Sequence, residues 1–297
     1  MTRPGVGRLS AALLLLATGF LVLPAPPAAR ADEAIDACFL PEDLRGFSAG
    51  LARTRAKIAA GDGATILAIG SSSTAGVGAS DADHTYPARL AVHLVSRLPD
   101  VAVKVVNRGI GGEVVATTAA RLRVEVDAVR PDLVIWQVGT NDAVRGVGLE
   151  TMAAIIEDGL AWLDARGIDT VLMDPQFYPR VAGSDGYRRA VAVIADIAAR
   201  RRVPLVRRYE AMRYWAARPQ PVSMLAGDAF HLNDQGYECI AGMTAGGLAG
   251  RWTAAEAPAT AAPAAPAVSA KSLAPAVQAA APAALPVSAS GGASVIQ

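Results

Sequence analysis

The residues with the clearest chemical potential lie in two short segments. A glycine-flanked turn, Gly70-Ser71-Ser72-Ser73-Thr74, follows an apolar run early in the chain. Much later, Asp228-Ala229-Phe230-His231 places a carboxylate three residues before an imidazole. A serine hydroxyl becomes an effective nucleophile when an imidazole can take its proton and a third group orients that imidazole. The two segments together therefore indicate the chemistry of an activated serine.

Two further polar segments each follow an apolar run. They are Asn107-Arg108-Gly109-Ile110-Gly111-Gly112 and Gly139-Thr140-Asn141-Asp142. A phosphate-binding P-loop is not indicated, because the turn after Ser72 lacks the Gly-Lys-Ser/Thr that ends that motif. A dinucleotide site is not indicated either, since the first glycine-rich segment does not have the G-x-G-x-x-G spacing. The combination of segments therefore favours a serine hydrolase.

Apolar runs of strand length alternate with helical patterns through the middle of the chain. The predicted strands are Thr65–Ile69, Val101–Val106, Leu133–Val138, Thr170–Met173 and Val203–Val206. The predicted helices are Glu42–Ala60, Tyr86–Leu98, Val115–Val129, Leu149–Ala165, Tyr187–Arg201 and Asp234–Arg251. Runs that are apolar on both faces and separated by helices predict a parallel sheet covered on both sides. We therefore expect an α/β protein with a three-layer α/β/α, doubly wound sheet of about five strands in flavodoxin-like order. The polar segments should fall at the carboxyl ends of the strands, where such sheets bind ligands.

With these segments in this order, the chain resembles the SGNH (GDSL-like) hydrolase family over residues 65–236. The resemblance implies the SGNH hydrolase fold, with Ser72 as nucleophile and a triad completed by Asp228 and His231. It also implies an oxyanion hole formed by the backbone N–H groups of Ser72 and Gly112 and by the side-chain amide of Asn141.

The turn at the nucleophile departs from the family pattern at one position. The family's usual aspartate before the nucleophile is Ser71 in this chain. That aspartate is not the acid of the triad, so the departure concerns how the turn is held. Ser71 and Ser73 both adjoin Ser72, and the sequence leaves them open as alternative nucleophiles.

The resemblance implies hydrolysis of a carboxylic ester through an acyl-enzyme, with no cofactor. Three histidines without ligand-like spacing also make a metal site unexpected. A small-molecule or glycan ester is the expected substrate, and a short acyl (acetyl) group on carbohydrate is favoured. Hydrolysis of a lysophospholipid or other acyl ester, acyl transfer to an envelope polysaccharide and a non-catalytic binding module stay open. Gln176 and Tyr178, after the fourth predicted strand, would suit a sugar, and a packed loop is the alternative.

Residues 1–31 have the pattern of a secretory signal peptide. Arg3 and Arg8 precede an apolar stretch that is shorter than the roughly 20 residues a membrane-spanning helix needs. We expect an exported protein, periplasmic or secreted, without a stable transmembrane anchor. Disulfides persist in oxidising compartments. Cys38 and Cys239 are therefore expected to pair, with two buried free thiols as the alternative.

One hydrolase domain is expected at residues 32–253. Residues 254–297, rich in Ala and Pro, would bury too little apolar surface to fold and are expected to be disordered. Removal of the signal peptide would change the formal charge from +1 to −2, which gives no electrostatic basis for binding nucleic acid. The arginines at 200–202 and 207–208 are expected to form a solvated helix end.

Overall fold

The computed structural model describes residues 1–2, 37–47, 50–219, 221 and 223–254. Apart from Met1, Thr2 and Ala254, the expected signal peptide at 1–31 and the expected C-terminal segment at 254–297 lie outside these residues.

Five parallel strands form one sheet. They are β1 (Ala64–Gly70), β2 (Val103–Gly109), β3 (Leu133–Gln137), β4 (Asp169–Met173) and β5 (Leu205–Val206). Their order across the sheet is β2-β1-β3-β4-β5. β1 pairs with β2 along its full length, from Ala64 opposite Val103 to Gly70 opposite Gly109. This is the flavodoxin-like order, so the predicted fold class is confirmed.

Helices connect the strands and cover both faces of the sheet. In the described residues they are α1 (Ala52–Ala59), α2 (Ser72–Ala75), α3 (Tyr86–Arg97), α4 (Val115–Val129), α5 (Thr140–Arg145), α6 (Leu149–Asp164), α7 (Asp185–Arg201), α8 (Arg208–Ala216) and α9 (Asp234–Thr253). Successive side chains of a strand point to opposite faces. Accordingly, Ile66 of β1 packs in one apolar cluster with Leu90 of α3. Its neighbour Leu67 packs in the other with Leu122 of α4 and Ile194 of α7.

The structure corrects two predicted boundaries and adds a helix. The leading helix predicted at Glu42–Ala60 is a 3₁₀ turn at Glu42–Leu44 followed by the separate helix α1. Between them Gly46, Gly50 and Leu51 have φ angles of +80°, +83° and +66°, a left-handed conformation that a continuous helix excludes. Helix α8 was not predicted. Strand β2 extends to Gly109, so the segment beginning at Asn107 starts inside this strand and not after it.

A disulfide joins Cys38, at the N-terminal end of the described domain, to Cys239 of α9. The two Cα atoms are 4.9 Å apart and the residues are 201 positions apart in the chain. Within the described part of the chain, no helix has both the length and the apolar character to cross a membrane.

Candidate active site

Ser72 opens helix α2 directly after β1, at the carboxyl end of the sheet. The chain turns tightly at Gly70, where a Cβ atom would lie 2.5 Å from the Thr74 hydroxyl oxygen and 2.7 Å from Cβ of Gln137. A side chain at position 70 would therefore displace the turn. The Ser72 side chain is 8% exposed, and its Oγ lies 3.0 Å from Nε2 of His231.

His231 is held from its other ring nitrogen by Asp228. Nδ1 of His231 lies 2.5 Å from Oδ2 of Asp228. The second carboxylate oxygen accepts hydrogen bonds from the backbone N–H groups of Phe230, at 3.0 Å, and His231, at 2.9 Å. The hydrogen bond to the His231 ring, followed by the Phe230 N–H, lowers the pKa of Asp228 to about 2. This arrangement orients the imidazole of His231 so that Nε2 can take the Ser72 proton.

The turn that lacks the family aspartate is held by a buried glutamine. Both the backbone N–H and the hydroxyl of Ser71 donate to Oε1 of Gln137, at 2.8 and 2.9 Å. The Ser71 hydroxyl is therefore bound to a buried amide oxygen, whereas the Ser72 hydroxyl faces the His231 imidazole. Gln137 was not predicted as a site residue, although a polar residue inside an otherwise apolar strand was an available signal.

Gly112 and Asn141 lie on two segments that are bonded together. The side-chain amide of Asn141 donates to the carbonyl of Glu113 at 2.7 Å. Gly112, which precedes Glu113, has a φ of +78°, a left-handed conformation that favours glycine. The buried carboxylate of Asp142 accepts two bonds of 3.1 Å from the N–H of Val115, and burial raises its pKa. The structure thus brings the predicted oxyanion glycine and amide together.

A second Asp-x-x-His spacing occurs in the chain, at Asp81 and His84. Nδ1 of His84 lies 2.8 Å from the Asp81 carboxylate and 3.2 Å from Oγ of Ser80. Both contacts involve the same ring nitrogen, so this cluster cannot relay a proton as His231 can. Across the described residues, no group of three or more His, Cys, Asp or Glu side chains could hold a metal ion.

Gln176 is a buried connector, which corrects its expected role in binding substrate. Its side chain is 0% exposed. Oε1 accepts the Ser73 hydroxyl at 2.6 Å, and Nε2 donates to the carbonyl of Phe230 at 2.7 Å. Because the residue is completely buried and both ends of its amide bond to protein groups, Gln176 does not face a ligand. It links the residue after Ser72 to the residue before His231.

Tyr178 is also packed inside and does not project toward a ligand. Its side chain is 7% exposed. The ring makes edge-to-face contacts with Phe230 and Tyr187, with centroids 4.8 and 6.0 Å apart. Desolvation raises the pKa of the Tyr178 hydroxyl. The tyrosine therefore supports the segment that carries His231, and the packed-loop alternative describes both Gln176 and Tyr178.

Arg208 lies beneath the site, contrary to the expectation of a solvated helix end. Its side chain is 1% exposed. It donates to the main-chain carbonyl of Asp174 at 3.0 Å and to the hydroxyl of Thr140, the residue before Asn141, at 3.2 Å. Burial lowers the pKa of Arg208 and raises that of the Asp174 carboxyl to about 7. The burial of Arg208 was not predicted from the sequence, because the residue belongs to a cluster of arginines and charged clusters are usually exposed.

The chain has a flavodoxin-like sheet, and a serine, an imidazole and a carboxylate lie in line at the carboxyl ends of its strands. This combination defines an SGNH-like hydrolase, which belongs to the class of enzymes that act on carboxylic esters. The profile of the non-GDSL lipase-like family matches residues 37–246, and the chain belongs to this family. A search of curated proteins found no match.

Three solved structures illustrate the likeness. A two-domain esterase (CEX) active on acetylated mannans has a TM-score of 0.60 and 20% identity, over 75% of this chain and 59% of that one. Axe2, an acetylxylan esterase from Geobacillus stearothermophilus, has a TM-score of 0.53 and 23% identity, over 61% and 91%. A lipolytic protein of the G-D-S-L family from Desulfitobacterium hafniense has a TM-score of 0.52 and 20% identity, over 61% and 98%. At these identities the likeness shows the fold.

Proposed function

We propose that the protein is an exported serine esterase that removes a short acyl group, most simply acetyl, from carbohydrate. The observation that carries the proposal is the chain of contacts from Ser72 Oγ to His231 Nε2, at 3.0 Å, and from His231 Nδ1 to Asp228, at 2.5 Å. The preference for a short acyl group on a glycan is supported by the names of CEX and Axe2, which share the fold.

The proposed reaction proceeds through an acyl-enzyme. His231 takes the Ser72 proton as the serine oxygen bonds to the ester carbonyl carbon, and Asp228 offsets the positive charge on the imidazole. As the intermediate collapses, His231 gives that proton to the departing alcohol oxygen. A water molecule then attacks the acyl group while His231 takes its proton. Release of the carboxylic acid returns the proton to Ser72.

The negative charge on the carbonyl oxygen would be met by the Ser72 and Gly112 N–H groups and by the Asn141 amide. An amide NH₂ group carries two donor hydrogens. One of those on Asn141 is used by the Glu113 carbonyl, which leaves the other for the oxyanion. Donors placed in advance stabilise the transition state because they need no reorganisation as charge develops.

Export and the domain limits belong to the same proposal. A leader at 1–31, a hydrolase domain at 32–253 and a tail at 254–297 would place the Cys38–Cys239 disulfide in the mature domain. Disulfides persist in oxidising compartments outside the cytosol, so the bond supports a periplasmic or extracellular location. Sequencing the N-terminus of protein recovered outside the cytoplasm tests the cleavage site.

The first experiment measures release of p-nitrophenol from acetyl, butyryl and octanoyl esters by the full chain and by Ser72→Ala. We expect the acetyl ester to be the best substrate and the activity of Ser72→Ala to fall to background. Peptide mapping after labelling with a fluorophosphonate should place the label on Ser72.

Ser71→Ala and Ser73→Ala are matched controls, since each removes one neighbouring hydroxyl. Both should keep measurable activity and fluorophosphonate labelling at Ser72. A preference for the octanoyl ester would replace the carbohydrate esterase with a lipid esterase. A folded protein that neither hydrolyses an ester nor takes the label would contradict the proposal and favour a binding module. Acyl transfer to an added sugar in place of hydrolysis would favour the acyltransferase.

A further inference from the structure

The last residue of helix α5, Arg145, lies beside the proposed oxyanion hole. Arg145 and Asn141 are four residues apart on this helix, so they share one of its faces. The Asn141 amide contacts the carbonyl of Glu113. The Arg145 guanidinium approaches the adjacent residue: its Nη2 lies 3.5 Å from the position that a Cβ atom on Gly112 would occupy.

The nearby carboxylates are engaged by other groups. Glu113 is bound by Arg121, whose Nε lies 2.9 Å and whose Nη2 lies 2.8 Å from its oxygens. Asp142 is buried and accepts the N–H of Val115. Arg145 acts on Asp142 through its charge, which works against the effect of burial on the pKa of that carboxyl.

The Arg145 side chain is exposed. In the described part of the chain it makes neither a hydrogen bond nor an ion pair, whereas Arg121 also donates to the carbonyls of Arg108 and Gly70 at 2.6 and 3.3 Å. The N–H donors of Arg145 are therefore available to a ligand. A guanidinium binds a carboxylate through two parallel hydrogen bonds, a geometry that an ammonium group does not reproduce.

We propose that Arg145 binds a carboxylate on the alcohol side of the substrate, so that the preferred substrate is an ester of an acidic sugar. The inference rests on the proposed function, because an acetyl group carries no charge and the anion must then belong to the alcohol. Arg145 would act as a specificity-determining residue, separate from the residues that carry out acyl transfer.

The test compares acetate release from O-acetyl glucuronate and O-acetyl glucose, two sugars that differ in the carboxylate. The variants are Arg145→Gln, Arg145→Lys and a matched control, Arg130→Gln. Arg130 is exposed and follows helix α4, before the first residue of β3, and so lies at the opposite end of the sheet. Comparing the two substrates within each variant separates recognition of the anion from a general loss of activity.

In Arg145→Gln we expect kcat/KM for the glucuronate ester to fall about tenfold or more, with less than a twofold change for the glucose ester. Arg145→Lys should lie between the wild type and Arg145→Gln, and Arg130→Gln should match the wild type. Salt should slow only the glucuronate reaction of the wild type.

An equal loss on both esters in Arg145→Gln would mean that Arg145 supports the oxyanion hole, and no loss on either would mean that it contacts no substrate. Each result overturns the inference while leaving the esterase intact. Failure of the proposed function is different: the wild type would hydrolyse neither ester, and Ser72 would not take the fluorophosphonate label.

Discussion

The Asp228 carboxylate accepts hydrogen bonds at both of its oxygens, and these bonds stabilise its ionised form. They hold its pKa at about 2, below the ordinary value of 3.8. A depressed carboxyl pKa means that the interaction is fully present above the ordinary value and is lost as the pH falls toward 2. Asp228 therefore stays ionised at any pH at which a histidine base can act, and it offsets the charge that His231 gains during the reaction.

Replacing Asn141 by Ala tests the proposed side-chain donor. We expect kcat to fall by about 10²–10³ with little change in KM, because the lost hydrogen bond strengthens only as charge develops on the substrate oxygen. Steady-state kinetics on p-nitrophenyl acetate measure both constants.

The same substitution also removes the bond to the Glu113 carbonyl, so thermal unfolding of the variant is needed as a control. A Tm close to that of the wild type would show that the loop after β2 keeps its place. An increase in KM with kcat unchanged would contradict the assignment and make Asn141 a residue that binds the ground state.

At the level of single residues, the sequence was informative where a short motif carries the chemistry. Ser72, Gly112, Asn141, Asp228 and His231 were all proposed from such motifs, and the structure places them at one end of the sheet. The supporting role of the residues beneath them was not predicted, because their partners come from distant parts of the chain; Gln176 was expected to bind a sugar. Gln176 pairs with Ser73 across 103 positions and with Phe230 across 54. No local pattern records such pairs.

At the level of elements, Gln176 connects helix α2 to the loop that precedes α9. Gln176→Met removes both of its bonds at similar volume, so Ser72 and His231 would no longer be held at a fixed separation. We expect kcat to fall about tenfold to a hundredfold with KM unchanged, since a misplacement of about 1 Å can cost a hundredfold in rate. The rate of fluorophosphonate labelling at Ser72 should fall in parallel.

Ser73→Ala serves as the matched control, because it removes only the bond between α2 and Gln176. Its loss of activity should be smaller than that of Gln176→Met. A variant with a lower Tm and a wild-type kcat, measured well below that Tm, would show that Gln176 stabilises the fold without positioning the site.

The elements themselves were predictable to different degrees. The buried strands β1, β3 and β4 are apolar on both faces, and each was predicted to within one residue at either end. The end of β2 was missed because it lies at the sheet edge, where residues 107–109 need not be apolar to pair with β1. Helix α8 was missed because it begins with arginine immediately after the short strand β5.

At the level of the whole molecule, the strand order explains why separate motifs meet. β2 lies on one side of β1 and β3 lies on the other. The order of the strands therefore reverses direction between β1 and β3. A crevice opens at the carboxyl ends of strands where the order reverses in this way. Ser72 follows β1 and Asn141 follows β3, which places the nucleophile and the amide donor on either side of that crevice.

The Cys38–Cys239 disulfide is the longest-range covalent link in the described domain, since it closes a loop of 201 positions. Removing it should cost about 2–5 kcal/mol of stability, because the unfolded chain regains the freedom that the closed loop denies it. For a domain of this size we expect the Tm to fall by about 5–15 °C on adding dithiothreitol. The double variant Cys38→Ser/Cys239→Ser should have the lower Tm from the start and should not respond to the reductant.

Because Ser72, Asp228 and His231 make no bond to either cysteine, kcat at 25 °C should be unchanged. An equal Tm with and without reductant, in protein whose thiols titrate only after reduction, would show that non-covalent packing alone holds the N-terminal segment on α9.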